Sequence, residues 1–301
     1  MAKIAFLFAG QGAQSVGMGQ DLYQSFPEAQ AIFDLAGEKI QKLCFYGPAE
    51  ELNQTVNTQP CLFAMDLACA RALQSQGVRA AGVAGFSLGE IPALAYAGTL
   101  SDAQALAFVQ LRAQAMDRCA AAHPGAMYAV LRISALSVEN ICQGLEQAYP
   151  VNYNCTGQTV VACAEKTSSL LLKAVAEQGG RALRLAVSGA FHSPLMDQAS
   201  AEAAEFLQYQ QFQPSAMPVY ANTTAHIYQN PCQQLARQIN HPVLWQQSIE
   251  KMVADGFDTF IEVGPGLVLS GLLKKINPEM RVFAVSDAAS VAQVVGELAG
   301  A

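Results

Sequence analysis

Apolar positions along the chain form short unbroken runs separated by longer stretches of helix-forming residues. The run Lys3–Ala9 predicts a strand buried on both faces. Gln59–Gln76 predicts a helix, with Pro60 suited to its first turn and Gly77 to its C-terminal stop. Ala80–Phe86 predicts a second strand, and Leu88–Ala97 a helix closed by Gly98. Ser101-Asp102-Ala103-Gln104 then opens a further helix as a capping box of the S-x-x-Q type. Strand alternating with helix in this way predicts a mostly parallel sheet covered on both faces.

The pattern changes near His123-Pro124-Gly125. Strand Ala126–Ile133 leads to helix Leu136–Tyr149, strands Val151–Asn154 and Thr159–Ala164, helix Ser168–Gln178 and strand Ala182–Val187. This β-α-β-β-α-β order is that of a ferredoxin-like unit. After Ser188 the first pattern resumes. Pro218–Ala221 and Thr259–Val263 read as short strands, Gly264-Pro265-Gly266 as a turn into helix Leu267–Ile276, and Arg281–Val285 as a last strand. The expected organisation is a large α/β unit, residues 1–124 and 189–301, with a small ferredoxin-like unit at 125–188 inserted in it.

Composition narrows the functional classes. With 301 residues, 52% hydrophobic and 14% charged, the chain can bury a large core and is not disordered. No apolar run reaches the ~20 residues of a membrane helix, and the N-terminal run leads into Gln11-Gly12-Ala13-Gln14 without a cleavage-like spacer. The eight cysteines are scattered without a C-x-x-C pair, which predicts reduced thiols in a cytoplasmic protein and no metal site. A net charge of −7 argues against nucleic acid and anionic membranes as partners.

The candidate chemistry starts at Gly85-Phe86-Ser87-Leu88-Gly89-Glu90, a G-x-S-x-G sequence with a strand before it and a helix after it. Such a turn holds the serine in a strained conformation and aims its hydroxyl from a helix N-terminus, where negative charge is favoured. A serine nucleophile needs a base, and the chain has four histidines. His123 and His241 precede prolines and His226 lies in a polar stretch, so elimination leaves His192. Gly10-Gln11-Gly12-Ala13-Gln14, past the first strand, lacks the glycine and lysine spacing of phosphate loops. It fits better as the second oxyanion-hole donor, joining the Leu88 N–H.

Arg112 is the anomaly. It sits in the apolar stripe Ala105, Phe108, Val109, Met116 and Cys119 of the helix opened by Ser101. A buried guanidinium is costly unless a carboxylate meets it. That carboxylate belongs either to an internal Asp or Glu or to a substrate, and the stripe alone leaves the two readings even.

These segments, together with Leu111-Arg112-Ala113-Gln114-Ala115-Met116, Ala190-Phe191-His192, Asn240-His241-Pro242-Val243 and Glu262-Val263-Gly264-Pro265-Gly266, occur in order along nearly the whole chain. Together they resemble the malonyl-CoA:acyl carrier protein transacylases and the related acyltransferases of polyketide synthases. The resemblance implies an α/β-hydrolase-like large subdomain with a ferredoxin-like insertion. It implies Ser87 as nucleophile, His192 as base, the Gln11 and Leu88 amides as oxyanion hole, and Arg112 on the malonyl carboxylate. The backbone carbonyl of Gln238 would orient His192 in place of a triad acid.

Two positions depart from the family pattern: Phe86 stands where histidine is usual, and Leu244 where glutamine is usual. Phe86 is expected to form pocket wall and to affect acyl choice. Phe191, in the signature of malonyl-selective members, is expected to crowd a 2-methyl branch.

The implied reaction is ping-pong transfer of malonyl from malonyl-CoA to acyl carrier protein, with no cofactor. The acceptor carrier could serve fatty acid or polyketide assembly, and a chain without fused domains is expected to serve the former. Because such carriers are acidic, docking would need a local basic patch drawn from Lys166, Lys173, Arg181, Arg184, Lys274 and Lys275. Monomer is the default state. An α/β-hydrolase-type esterase or thioesterase is one alternative, but it expects an acid between Ser and His and leaves Arg112 unexplained. A non-catalytic carrier-docking module is the other.

Overall fold

Strand β1 (Ile4–Phe8) forms the middle of a five-stranded parallel sheet in the computed structural model, which describes residues 2–300. With β2 (Gly82–Gly85), β7 (Val219–Tyr220), β8 (Thr259–Val263) and β9 (Arg281–Val285), the order across the sheet is β7-β2-β1-β8-β9. Alternate residues of β1 enter different cores. Phe6 and Phe8 pack with helix Thr55–Ser75, while Ala5 and Leu7 pack with Trp245, Ile249 and Leu269. Both faces are therefore covered, which is why the strand reads as an unbroken apolar run.

The second sheet is antiparallel and runs β4-β5-β3-β6, from β3 (Gly125–Leu131), β4 (Ala148–Cys155), β5 (Gln158–Ala164) and β6 (Arg181–Arg184). This is the ferredoxin-like order. Tyr128, Val130, Val161 and Cys163 face helices Ala135–Gln143 and Ser168–Glu177, whereas Met127, Ala129, Val160 and Ala162 pack into the main core.

Some boundaries differ from the sequence expectation. The helix expected from Gln59 begins at Thr55, so Pro60 lies inside it rather than in its first turn. The helix expected to reach Tyr149 ends at Gln143 with Gly144 as its cap. Ala148 and Tyr149 instead pair with Cys163 and Ala162 in the sheet, because tertiary pairing outweighs their helix propensity. The elbow helix starts as a 3-10 turn, Ser87–Gly89, and becomes α-helical at Glu90. Helices Gln20–Ser25, Pro27–Ala36, Glu38–Tyr46 and Ala49–Leu52 have no counterpart in the sequence reading, and none has a side-chain cap to announce it. The cysteines carry free thiols, all buried except the partly exposed Cys232. No helix of the described residues is long and apolar enough to cross a membrane.

Candidate active site

The C-terminal ends of β1 and β2 lie in register, Phe8 beside Gly85, and the Phe86 N–H donates to the Phe8 carbonyl at 3.0 Å. The chain then reverses within one residue. Ser87 takes a left-handed φ of 53°, a conformation costing a non-glycine residue about 1–3 kcal/mol. The flanking glycines make this turn sterically feasible. A Cβ on Gly85 would lie 2.0 Å from the Gly89 carbonyl carbon, and one on Gly89 would lie 2.2 Å from the Phe8 oxygen. Asn222, just past β7, clasps the elbow from the side. Its Nδ2 donates to the Gly85 carbonyl at 2.7 Å, and its Oδ1 accepts from the Ser87 N–H at 2.8 Å.

Ser87 Oγ lies 2.7 Å from His192 Nε2, and His192 Nδ1 lies 2.7 Å from the Gln238 carbonyl. A carbonyl only accepts, so the ring proton sits on Nδ1 and Nε2 is free to accept from the serine hydroxyl. The His192 N–H also donates to the Ile239 carbonyl at 3.1 Å, so the end of helix Pro231–Gln238 fixes both backbone and ring. Burial, and then the Arg112 charge, push the imidazole down to about 3. A base so lowered stays unprotonated as pH falls through the ordinary histidine range. Acylation of Ser87 by a neutral sulfonyl fluoride is therefore expected to keep its rate through pH ~6.5 and to fall only well below it. A half-loss near pH ~6.5 in that inactivation profile would contradict the geometry.

Arg112 is 1% exposed in helix Asp102–Ala122, which opens with the capping box read from Ser101 and Gln104. Its Nη1 donates to Gln59 Oε1 at 2.8 Å, and its Nη2 to Gln238 Oε1 at 2.9 Å and Ser87 Oγ at 3.3 Å. Among the described residues no carboxylate lies within ion-pairing distance of it. Of the two readings left open by the sequence, the direct internal ion pair is thus excluded. Burial lowers the guanidinium to about 10, with the charge of Glu90 acting the other way, so the cation persists at neutral pH. Gln238 acts twice, its carbonyl on His192 and its side chain on Arg112. Its Nε2 further donates to the Ser87 carbonyl at 2.5 Å.

Leu88 follows the serine directly, and Gln11 lies in the turn just beyond β1. Neither N–H has a backbone acceptor among the described residues, whereas the Ser87 N–H is taken by Asn222. The Gln11 side chain donates to Thr55 Oγ1 at 3.2 Å, anchoring the turn to helix Thr55–Ser75. Phe86 packs edge-on against Trp245, with ring centroids 5.3 Å apart, and Phe191 is buried in the main core. Gln59, Glu90 and Asn222 were not singled out by sequence. Gln59 and Glu90 carried a signal, each a polar residue opening a run of buried apolar ones, but Asn222 carried none.

The acyl transferase domain family matches residues 5–299. The chain belongs to this acyl transferase family. It is 39% identical over 299 residues to a malonyl CoA-acyl carrier protein transacylase of Bacillus subtilis, covering 95% of this chain and 94% of that protein. Identity to the Escherichia coli K12 protein of the same name is 36% over 304 residues, covering 97% and 98%. The solved malonyl CoA-acyl carrier protein transacylase of Clostridium perfringens superposes with TM-score 0.95 at 34% identity, covering 99% and 98%. A malonyl-transacylase solved in complex with its type II polyketide acyl-carrier protein gives 0.94 at 34%, covering 98% and 100%.

Several of the surface cations suggested for docking in this acyl transferase are already engaged. Lys166 pairs with Glu146 at 3.0 Å, Lys173 with Glu177 at 3.9 Å and Arg184 with Glu165 at 2.7 Å. Lys274 donates to the carbonyls of Pro278 and Met280. Arg181 and Lys275 have no ion-pair partner among the described residues. Exposed pairs contribute only about 0–1 kcal/mol, so they can be exchanged for contacts with an acidic partner.

Proposed function

We propose that the protein transfers malonyl from malonyl-CoA to the phosphopantetheine thiol of acyl carrier protein through a malonyl ester on Ser87. One observation carries the acyl choice: a buried guanidinium held only by neutral groups, 3.3 Å from the serine hydroxyl. A carboxylate on the acyl group would satisfy it bidentately. The relatives named as malonyl CoA-acyl carrier protein transacylases support the donor, and the structure solved with a carrier protein supports the acceptor.

In this reading Ser87 Oγ gives its proton to His192 Nε2 and attacks the thioester carbonyl. The oxyanion forms between the Gln11 and Leu88 N–H groups, and loss of one such donor typically costs about 3 kcal/mol. The C–S bond breaks, and His192 returns the proton to the departing CoA thiolate. The carrier thiol then gives its proton to His192 and attacks the ester, and the serine oxygen leaves with that proton. No cofactor enters. The Arg112 charge depresses His192 in the free enzyme, so a malonate carboxylate that neutralises it also restores the base. The carbonyl of Gln238 stands where a hydrolase triad has its acid, which favours transfer over the esterase reading.

Phe191 is read as crowding a 2-methyl branch and Phe86 as pocket wall. One methyl is worth only ~1–3 kcal/mol, so the preference for malonyl over methylmalonyl is expected to leak. Residues 125–188 are read as the inserted unit and 1–124 with 189–301 as the large one, in line with β3 starting at Gly125 and β6 ending at Arg184. The free thiols fit a cytoplasmic protein. The net charge of −7 fits one without nucleic acid or membrane partners, and monomer remains our reading of its state.

Intact mass spectrometry tests this directly. Incubation with equal malonyl-, methylmalonyl- and acetyl-CoA should give mainly one malonyl adduct. Adding a holo acyl carrier protein of fatty acid or polyketide type should discharge it onto the true acceptor. An adduct discharged as fast by water as by thiol would favour the esterase, and no adduct at all would favour the docking module.

A further inference from the structure

Beside Arg112 and the elbow lies a group of buried polar atoms that the reaction above does not use. Glu90, where the elbow helix becomes α-helical, is fully buried. Its Oε1 accepts from the Asn222 N–H at 2.8 Å, while its Oε2 has no hydrogen-bond partner. The Tyr228 hydroxyl and Arg112 Nε are buried and equally unpartnered. The Tyr228 hydroxyl lies beside Glu90 without meeting hydrogen-bond geometry, and both groups fall within the field of Arg112. The other polar group facing Glu90 is the Gln238 side chain, from helix Pro231–Gln238. Arg112 is the only cation in this set.

The free site therefore holds one buried cation and one buried carboxyl, separated by more than an ion pair. A substrate carboxylate on Arg112 adds a second anion to the same dry volume. Like charges that close disfavour each other strongly, and the cheapest relief is protonation of one of them. Resting on the malonyl reading above, we propose that Glu90 is a positioning residue that balances charge for Arg112. It takes up a proton from solvent on Oε2 when the acyl carboxylate pairs with the guanidinium, and returns the proton when the acyl group leaves.

The electrostatics of the cluster agree. Burial raises Glu90 to about 7, against the lowering effects of the Asn222 N–H, Tyr228, Gln238 and Arg112. The carboxyl is thus poised to change state near neutrality. Burial and then the facing Glu90 carboxylate push the Tyr228 phenol well up, so Tyr228 stays a neutral hydroxyl. The consequence is selective. A diacid half-thioester triggers the uptake, and an acyl group without a carboxylate does not.

Titration calorimetry in buffers of different ionisation enthalpy reads the proton count. The Ser87→Ala protein, which cannot be acylated, would be titrated with malonyl-CoA and with acetyl-CoA between pH 7 and 8. Uptake of a fraction of a proton is expected with malonyl-CoA and none with acetyl-CoA. Adding Glu90→Gln, which keeps the acceptor for the Asn222 N–H, should abolish the uptake. Adding Tyr228→Phe should move its pH dependence upward. Binding of malonyl-CoA without proton uptake, or uptake undiminished by Glu90→Gln, would overturn the role of Glu90 while leaving the malonyl reading intact. No preference in binding for malonyl-CoA over acetyl-CoA would overturn both.

Discussion

Arg112→Ala is expected to lower kcat/KM for malonyl transfer at least a hundredfold while acetyl transfer holds or rises. The substituted site offers the acyl carboxylate only the amides of Gln59 and Gln238, which now lack the charge between them. Removing one member of a buried, hydrogen-bonded charge pair costs about 3–5 kcal/mol, or roughly two to nearly four powers of ten. For an acetyl group the sign reverses. Its methyl would face a buried cation with no counter-charge beside it, and that cation also depresses His192. Alanine relieves both. Steady-state transfer of each acyl group to holo carrier protein measures the contrast, and equal losses for the two would remove the guanidinium from substrate recognition.

Ser87→Ala should abolish the acyl adduct and lower turnover by about four to six powers of ten. Among the described residues, the Ser87 hydroxyl is the one group hydrogen-bonded to the free nitrogen of His192, at 2.7 Å. It also accepts from Arg112 Nη2 at 3.3 Å. His192→Ala should lose a similar amount, and the double variant little more than either, because residues acting as one unit do not contribute additively. Kinetics of the three variants, with intact mass after malonyl-CoA, give the answer. A persistent adduct on the Ser87→Ala protein would move the nucleophile elsewhere.

What the sequence made legible is what depends on neighbours along the chain. β8 and β9 have the ends expected of them, Thr259–Val263 and Arg281–Val285, because each is a short apolar run bounded by turn residues. The capping box at Ser101 is also local. So is the elbow, whose glycines and serine lie within five residues of one another. The choice of partner for Arg112 was not legible, because Gln59 and Gln238 lie 53 and 126 residues away in sequence. Pro60 misled as a helix start because the first turn, from Thr55, is stabilised by tertiary burial rather than by a capping side chain. Asn222 was invisible: an asparagine after a two-residue strand looks like any other turn residue.

That clasp bears on how the protein comes into being. Ser87 is tied to Asn222 across 135 residues, to His192 across 105, and Arg112 to Gln238 across 126. During synthesis the serine leaves the ribosome long before any of these ties can form. A nascent or truncated chain ending short of Asn222 has neither the lock on its turn nor the carbonyl that sets the imidazole tautomer. In the proposed mechanism the reacting geometry is thus complete only once the final third of the polypeptide has joined the fold.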